Sequence, residues 1–259
     1  MEFSYEILAL LFLVAGIAGT IDAMAGGGGL LTVPALLACG VPPVQALATN
    51  KLQGTFASFS SSMYFVRRKM VNLYQMRIAI GFTFLGAAIA SQVLQHIGSE
   101  KLQVIIPILL MLVALYFLFS PRLEDQVGKR NISEWLFGFS VGASVGFYDG
   151  FFGPGAGSLF MLGYVVLKGM ALVNATAHTK VLNFVSNITA LGFFVLADLV
   201  IWQLGLIMAL GSFIGAQIGA KMVLTKGQQL IRPMIVLMTM LMALKLSVEQ
   251  FAQSGLLNF

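Results

Sequence analysis

Long apolar runs, parted by brief polar or glycine-rich breaks, occupy almost the whole chain. They fall at residues 5–24, 28–41, 44–66, 74–95, 101–119, 132–152, 157–168, 171–197, 201–222 and 228–250. None alternates apolar and polar positions as a barrel strand would, so the pattern predicts helices. A helix needs ~20 residues to cross the hydrocarbon core, and eight of the ten runs reach about that length. The two short runs, 28–41 and 157–168, each follow a glycine cluster and hold corresponding places in the two halves. Paired short segments of this kind point to a binding site between repeats. Each either crosses or dips in and returns.

The breaks carry a repeated motif. The first copy runs Asp22-Ala-Met-Ala-Gly-Gly-Gly-Gly29, then Pro34, then Ala48-Thr49-Asn50-Lys51. The second runs Asp149-Gly-Phe-Phe-Gly-Pro-Gly-Ala-Gly157, then Ala177-His178-Thr179-Lys180. Further on, Gly81 to Ala90 resembles Gly211 to Ala220, and the segment around Pro107 resembles that around Pro233. The chain therefore divides into a first membrane repeat (1–120), a polar linker (121–134) and a second membrane repeat (135–259).

Composition fixes the solvent. Of 259 residues, 58% are hydrophobic and 10% charged, with a mean hydropathy of +0.91. A soluble domain carries about 25% charged residues, so most of this surface must face lipid. The net charge of +5 does not argue for nucleic acid, because the basic residues cluster in loops as membrane-orientation signals. Arg67, Arg68, Lys69 and Arg77 mark one loop of the first half, whereas the second-half counterpart holds only Asp198. The next loop reverses the bias, with Lys221, Lys226 and Arg232 in the second half. Lys and Arg stay cytoplasmic, so the halves are expected to face opposite ways, with the linker inside and both termini outside. The expected fold is an all-α polytopic membrane protein of two inverted-topology repeats. Each repeat holds a glycine-broken helix or helical hairpin, with about 8–10 transmembrane segments in all. The acidic N-terminus lacks the basic region of a secretory signal, so the first run is expected to remain. Cys39 is the only cysteine, and His96 and His178 come without a second thiol, so neither disulfide, metal nor cofactor is expected.

The candidate chemistry sits in the motifs. At 1.5 Å per residue, Lys51 lies ~12 Å from Pro43 and ~24 Å from Arg67 along a helix. An ammonium at such depth costs at least ~2.5 kcal/mol, so Lys51 and the similarly deep Lys180 should face the interior or a wet cavity. Lys51, Thr55, Ser58 and Ser62 share one helix face, as do Thr176, Lys180, Asn183 and Asn187. One cation per stripe, with no acid on the stripe, suits a small oxyanion. The other reading of each lysine is a latch bonded to helix-end carbonyls, and of the hydroxyls, helix-to-helix bonding. The glycines of Gly26 to Gly29 and Gly153 to Gly157 precede short helices whose N-termini offer N–H donors to an anion; Gly27, Gly28 and Gly155 are candidates. The alternative is a tight packing turn. Asp22 and Asp149 fall at helix C-termini, as proton-coupling groups or as caps of the glycine loops. His178 relays protons or donates to substrate. No nucleophile pair or metal spacing recurs, which argues against an intramembrane enzyme; a structural subunit would not need twin buried lysines.

The motif Asp-xxx-Gly-Gly-Gly-Gly…Pro34…Gly40…Ala48-Thr49-Asn50-Lys51 and its second copy resemble the signature of the TauE/SafE family of membrane permeases, over essentially the whole chain. The resemblance implies a bacterial or archaeal inner-membrane transporter, with sulfite, sulfonates and similar sulfur-containing anions among the family's associated substrates. Many members carry Thr-Ser where this chain has Thr49-Asn50, and His178 stands before Thr179 in the second copy. The combined expectation is a non-enzymatic secondary transporter working by alternating access. A small anion meets Lys51, Lys180, Thr49, Asn50, Thr179 and Asn183 with the glycine-loop donors, protons serve as a candidate coupling ion, and a homo-oligomer is compatible. An anion channel and a carboxylate transporter are the alternatives.

Overall fold

The computed structural model describes residues 3–97, 128 and 132–226, with scattered positions between 101 and 113. Most of the linker, the Pro107 and Pro233 match and the run 228–250 lie outside the described residues. Among the described residues every regular element is helical. Helix α1 (Tyr5–Ala25) leads to the short α2 (Gly29–Ala38), then α3 (Pro43–Arg67) and α4 (Leu73–Gln95). The second half follows the same order. Helix α5 is α-helical over Glu134–Phe137, π-helical over Gly138–Ala143 and α-helical again over Ser144–Phe151. The short α6 (Ala156–Lys168), α7 (Leu172–Leu196) and α8 (Trp202–Lys226) follow.

Local sequence explains the helix starts. Ser4 accepts from the Ile7 N–H and Ser133 from the Leu136 N–H, the same cap on α1 and α5. Asn72 caps α4 by accepting from Tyr74 and Gln75. Pro43 occupies the first turn of α3, where its missing N–H costs nothing.

The described helices bury many hydroxyls beside their apolar core and turn long apolar side chains outward. Ser58, Ser60, Ser61, Thr83, Ser91, Ser186 and Ser212 are buried. Leu206, Leu210, Ile214 and Ile218 form one exposed stripe on α8, and Leu10, Leu13 and Ile17 are exposed on α1. Water would favour the reverse. Four described helices (α1, α4, α7 and α8) are long and apolar enough to cross a membrane. Helix α3 is as long as α7 but polar; other helices shield its polar face, which is why hydropathy does not select it.

The short helices return beside their predecessors. Leu36 of α2 shares a cluster with Leu8, Leu11 and Ala15 from the first half of α1. Tyr164 of α6 lies 4.7 Å, ring to ring, from Phe137 at the start of α5, and Lys168 pairs with Glu134 at 2.6 Å. Each glycine loop is thus the tip of a helical hairpin.

Packing between the halves is reciprocal: α1 lies on α8 as α5 lies on α4, and α3 meets α8 as α7 meets α4. Small residues permit the close approach. A Cβ on Gly215 would collide with the Gly16 carbonyl, and one on Gly146 would stand 2.7 Å from the Thr83 carbonyl. The strips Gly211–Gly215–Gly219 and Gly138–Gly142–Gly146 therefore pack as their spacing predicts.

Candidate functional site

The two hairpin tips touch. Gly26 ends α1 with φ +78, a left-handed conformation that glycine adopts without strain. A Cβ there would run into the Gly157 backbone, and one on Gly157 would meet Gly26. Gly29 approaches Pro154 in the same way. Ser158 of α6 donates to the Ala25 carbonyl, tying one tip to the other.

The lysines cross between halves at this junction. Lys51 of α3 places Nζ 2.6 Å from Asp149 Oδ1 and also donates to the Asp149 carbonyl of α5. Lys180 of α7 places Nζ 3.2 Å from Asp22 Oδ2 and donates to the Asp22 carbonyl of α1. Each ammonium therefore meets a helix C-terminus, where the dipole is negative, and the carboxylate that the dipole alone would disfavour. Gly153 is held against Lys51: a Cβ would stand 2.8 Å from Nζ.

The remaining carboxylate oxygens are occupied as well. Asp149 Oδ2 accepts from Asn183 Nδ2 at 3.0 Å and from the Ser186 hydroxyl. Asp22 Oδ1 accepts from the Gly28 N–H at 3.2 Å. Asp22 thus caps its glycine loop, one of the two roles open to it from sequence, while Asp149 is fixed by side chains of α7. A charge-paired, hydrogen-bonded arrangement is what keeps three buried charges and the partly exposed Asp22 tolerable.

Beside these pairs lies a cavity of ≈ 20 Å³. Its wall includes Asp22, Asp149, Asn50, Gln53, Asn183 and Asn187, with Gly28, Gly29, Gly54 and Gly153 supplying backbone. That volume holds about one water. Gly54 allows α3 and α7 to cross here, since a Cβ would stand 3.0 Å from Asn187 Oδ1. Asn50 Oδ1 also accepts from Thr32 Oγ1 at 2.5 Å, which joins α2 to the site.

Of the residues expected from sequence, Asn50, Asn183, Gly28, Asp22 and Asp149 line the cavity. Lys51 and Lys180 are joined to its carboxylates and are outside the lining set, so in this conformation the ionised groups on the wall are acids. The expectation of lysines without acidic neighbours holds along each stripe and fails in space, because the acid comes from the other half. Thr49, Thr179, His178, Gly27 and Gly155 are likewise outside that set. Thr49 accepts from the Ile201 N–H at 3.1 Å, and Thr179 is buried with no partner for its hydroxyl. His178 Nδ1 donates to the Asn174 carbonyl at 2.8 Å, its ring against Tyr164. Gly155 shapes the second tip with φ +84. Thr55 and Ser58 donate back to their own helix, to the Lys51 and Gly54 carbonyls, and bridge no helices. Asn187, expected on the α7 stripe, lines the cavity too, and Gln53 and Gly54 are additional site residues; counting i, i+3, i+4 and i+7 from Asn50 would have found both.

A helical bundle with an apolar exterior and a polar cavity between two broken-helix hairpins defines the class: a multi-pass membrane transporter. The chain belongs to the sulfite exporter TauE/SafE family, whose profile matches residues 11–246. It is 46% identical over 250 residues to a "Probable membrane transporter protein" of Haemophilus influenzae, covering 96% of this chain and 98% of the relative. It is 47% identical over 247 residues to the "Probable membrane transporter protein YfcA" of Escherichia coli K12, covering 95% and 92%. A more distant relative, the "Probable membrane transporter protein YunE" of Bacillus subtilis, is 24% identical over 241 residues, covering 84% and 88%. No solved structure matches.

Proposed function

We propose that the chain moves a small sulfur-containing anion, such as sulfite or a sulfonate, across the bacterial inner membrane by alternating access. The observation that carries this reading is the polar cavity at the crossed Lys–Asp pairs, where both broken-helix hairpins meet. The amide donors of Asn50, Gln53, Asn183 and Asn187 and the glycine-loop N–H groups would replace the anion's hydration. A lysine released from its aspartate would neutralise its charge. Sulfite is larger than the one water this cavity holds, so the halves would have to separate to load it.

The inverted arrangement is part of the proposal. Clusters at opposite ends of the bundle support it: the start of α7 (Leu172, Ala175) packs with Phe65 near the end of α3, while Leu47 near the start of α3 packs with Phe194 near the end of α7. Counterpart helices so placed run in opposite directions. The exposed Arg67, Arg68 and Lys69 support assigning their end of the bundle to the cytoplasm, and the termini are proposed to lie outside.

The test is a thermal-shift screen of purified protein against sulfite, sulfonates and carboxylates. A ligand at a hundred times its Kd adds about 2.7 kcal/mol of stability. Stabilisation by sulfite or a sulfonate is expected. Stabilisation by carboxylates alone, or by no anion, refutes the assignment.

A further inference from the structure

The two crossed pairs are unequal. Asp149 and Lys51 are 2.6 Å apart with side chains 2% and 1% exposed, and Asn183 and Ser186 hold the second carboxylate oxygen. Asp22 and Lys180 are 3.2 Å apart, the Asp22 side chain is 15% exposed, and its second oxygen is held by one backbone N–H. Beside Lys180 in the chain, the buried Thr179 hydroxyl has no partner, whereas Thr49, two residues before Lys51, is bonded to Ile201.

We propose that Asp22–Lys180 is the pair that opens, that Asp22 takes up one proton as an anion binds Lys180, and that Asp149–Lys51 stays closed. This rests on the anion-transport reading above. The four groups Lys51, Lys180, Asp22 and Asp149 sum to zero charge. An entering monoanion leaves one negative charge uncompensated in an enclosed site, and the low dielectric penalises that strongly. One proton restores neutrality. It adds to an Asp22 carboxylate oxygen as an O–H bond, which loosens the hold on the Lys180 ammonium. The anion then takes the carboxylate's place, and the proton leaves to water when the anion does. Lys180, reaching from α7, is the charged group set on Asp22; Lys51, from α3, is set on Asp149. Tyr148, next to Asp149, donates its hydroxyl to the Pro154 carbonyl, and His178 turns to Asn174.

The experiment is calorimetric titration of the full chain in lipid nanodiscs with methanesulfonate, whose own charge does not change over the working pH range. Paired buffers of different ionisation enthalpy report the protons taken up. One proton per anion is expected, with affinity falling about tenfold for each pH unit wherever the anion-free protein does not already hold that proton. Asp22→Asn, which retains an oxygen for the Gly28 N–H, is expected to bind without proton uptake and without that pH dependence. Binding by the wild type with no proton uptake, or with a sodium requirement in its place, overturns the coupling and leaves the anion reading intact. Uptake that persists in Asp22→Asn and vanishes in Asp149→Asn overturns the choice of pair. No methanesulfonate binding by the wild type at any pH overturns the sulfonate reading itself, and the coupling with it.

Discussion

Lys51→Met is expected to destabilise the folded protein before it says anything about substrate. The substitution keeps most of the side-chain volume and removes the ammonium that Asp149 meets at 2.6 Å. Asp149 is then left 2% exposed at the end of α5, with the Asn183 amide and the Ser186 hydroxyl as its remaining side-chain partners. Removing one member of a buried pair costs about 3–5 kcal/mol, because the other charge stays behind uncompensated. Replacing both members should cost far less: in Lys51→Met/Asp149→Asn no charge remains, and the amide oxygen introduced at position 149 still accepts from Asn183. The coupling energy of the cycle should therefore reach about 2–3 kcal/mol. Reversible unfolding in mixed micelles, followed by the fluorescence of Trp202 and Trp135, measures all four corners. A single variant as stable as the wild type, or a double variant whose loss equals the sum of the singles, would show that the pair carries no such energy.

Lys180→Met should lose less stability, about 1–2 kcal/mol, because its partner is partly solvated and 3.2 Å away, and should lose methanesulfonate binding while remaining folded. Gly26→Ala combines a strained φ of +78 with a collision against Gly157, so the purified yield and unfolding midpoint should both collapse. Gln53→Ala and Asn187→Ala each remove an amide from the cavity wall and should weaken anion binding by about 1–3 kcal/mol in a titration; affinity unchanged in both removes them from the site. A reporter fused after Met70 should read cytoplasmic and one fused at Leu199 external; the same side for both removes the inverted arrangement.

The helix breaks were legible because glycine clusters and run lengths are local signals, whereas the return of each short helix beside its predecessor was left open. The buried lysines were legible too, since charge deep in an apolar run has few places to go. On α3 the polar stripe was read one residue off, on Lys51, Thr55 and Ser58, while Gln53, Gly54 and Ala57 join the expected Asn50 on the wall. A lysine is the conspicuous chemical group of its helix, yet its long side chain reaches away from the position of its Cα. The pairing itself was hidden because it is crossed. Asp22 shares a repeat unit with Lys51 but meets Lys180. No periodicity encodes that exchange; it follows from two glycine tips meeting backbone to backbone, which is a property of the assembled bundle. Gln53 was obscured for the same reason, since its carbonyl meets Ser212 of the opposite repeat.

One transport measurement tests most directly whether the anion passes the junction of the two hairpins. Proteoliposomes holding the wild-type chain, the Lys180→Met variant or no protein are diluted into labelled sulfite or methanesulfonate, and accumulation inside is followed over time. Uptake by the wild type that falls to the protein-free rate in Lys180→Met is the predicted result. Equal uptake by both proteins would contradict it, and would place the anion's path somewhere other than the junction of the two hairpins.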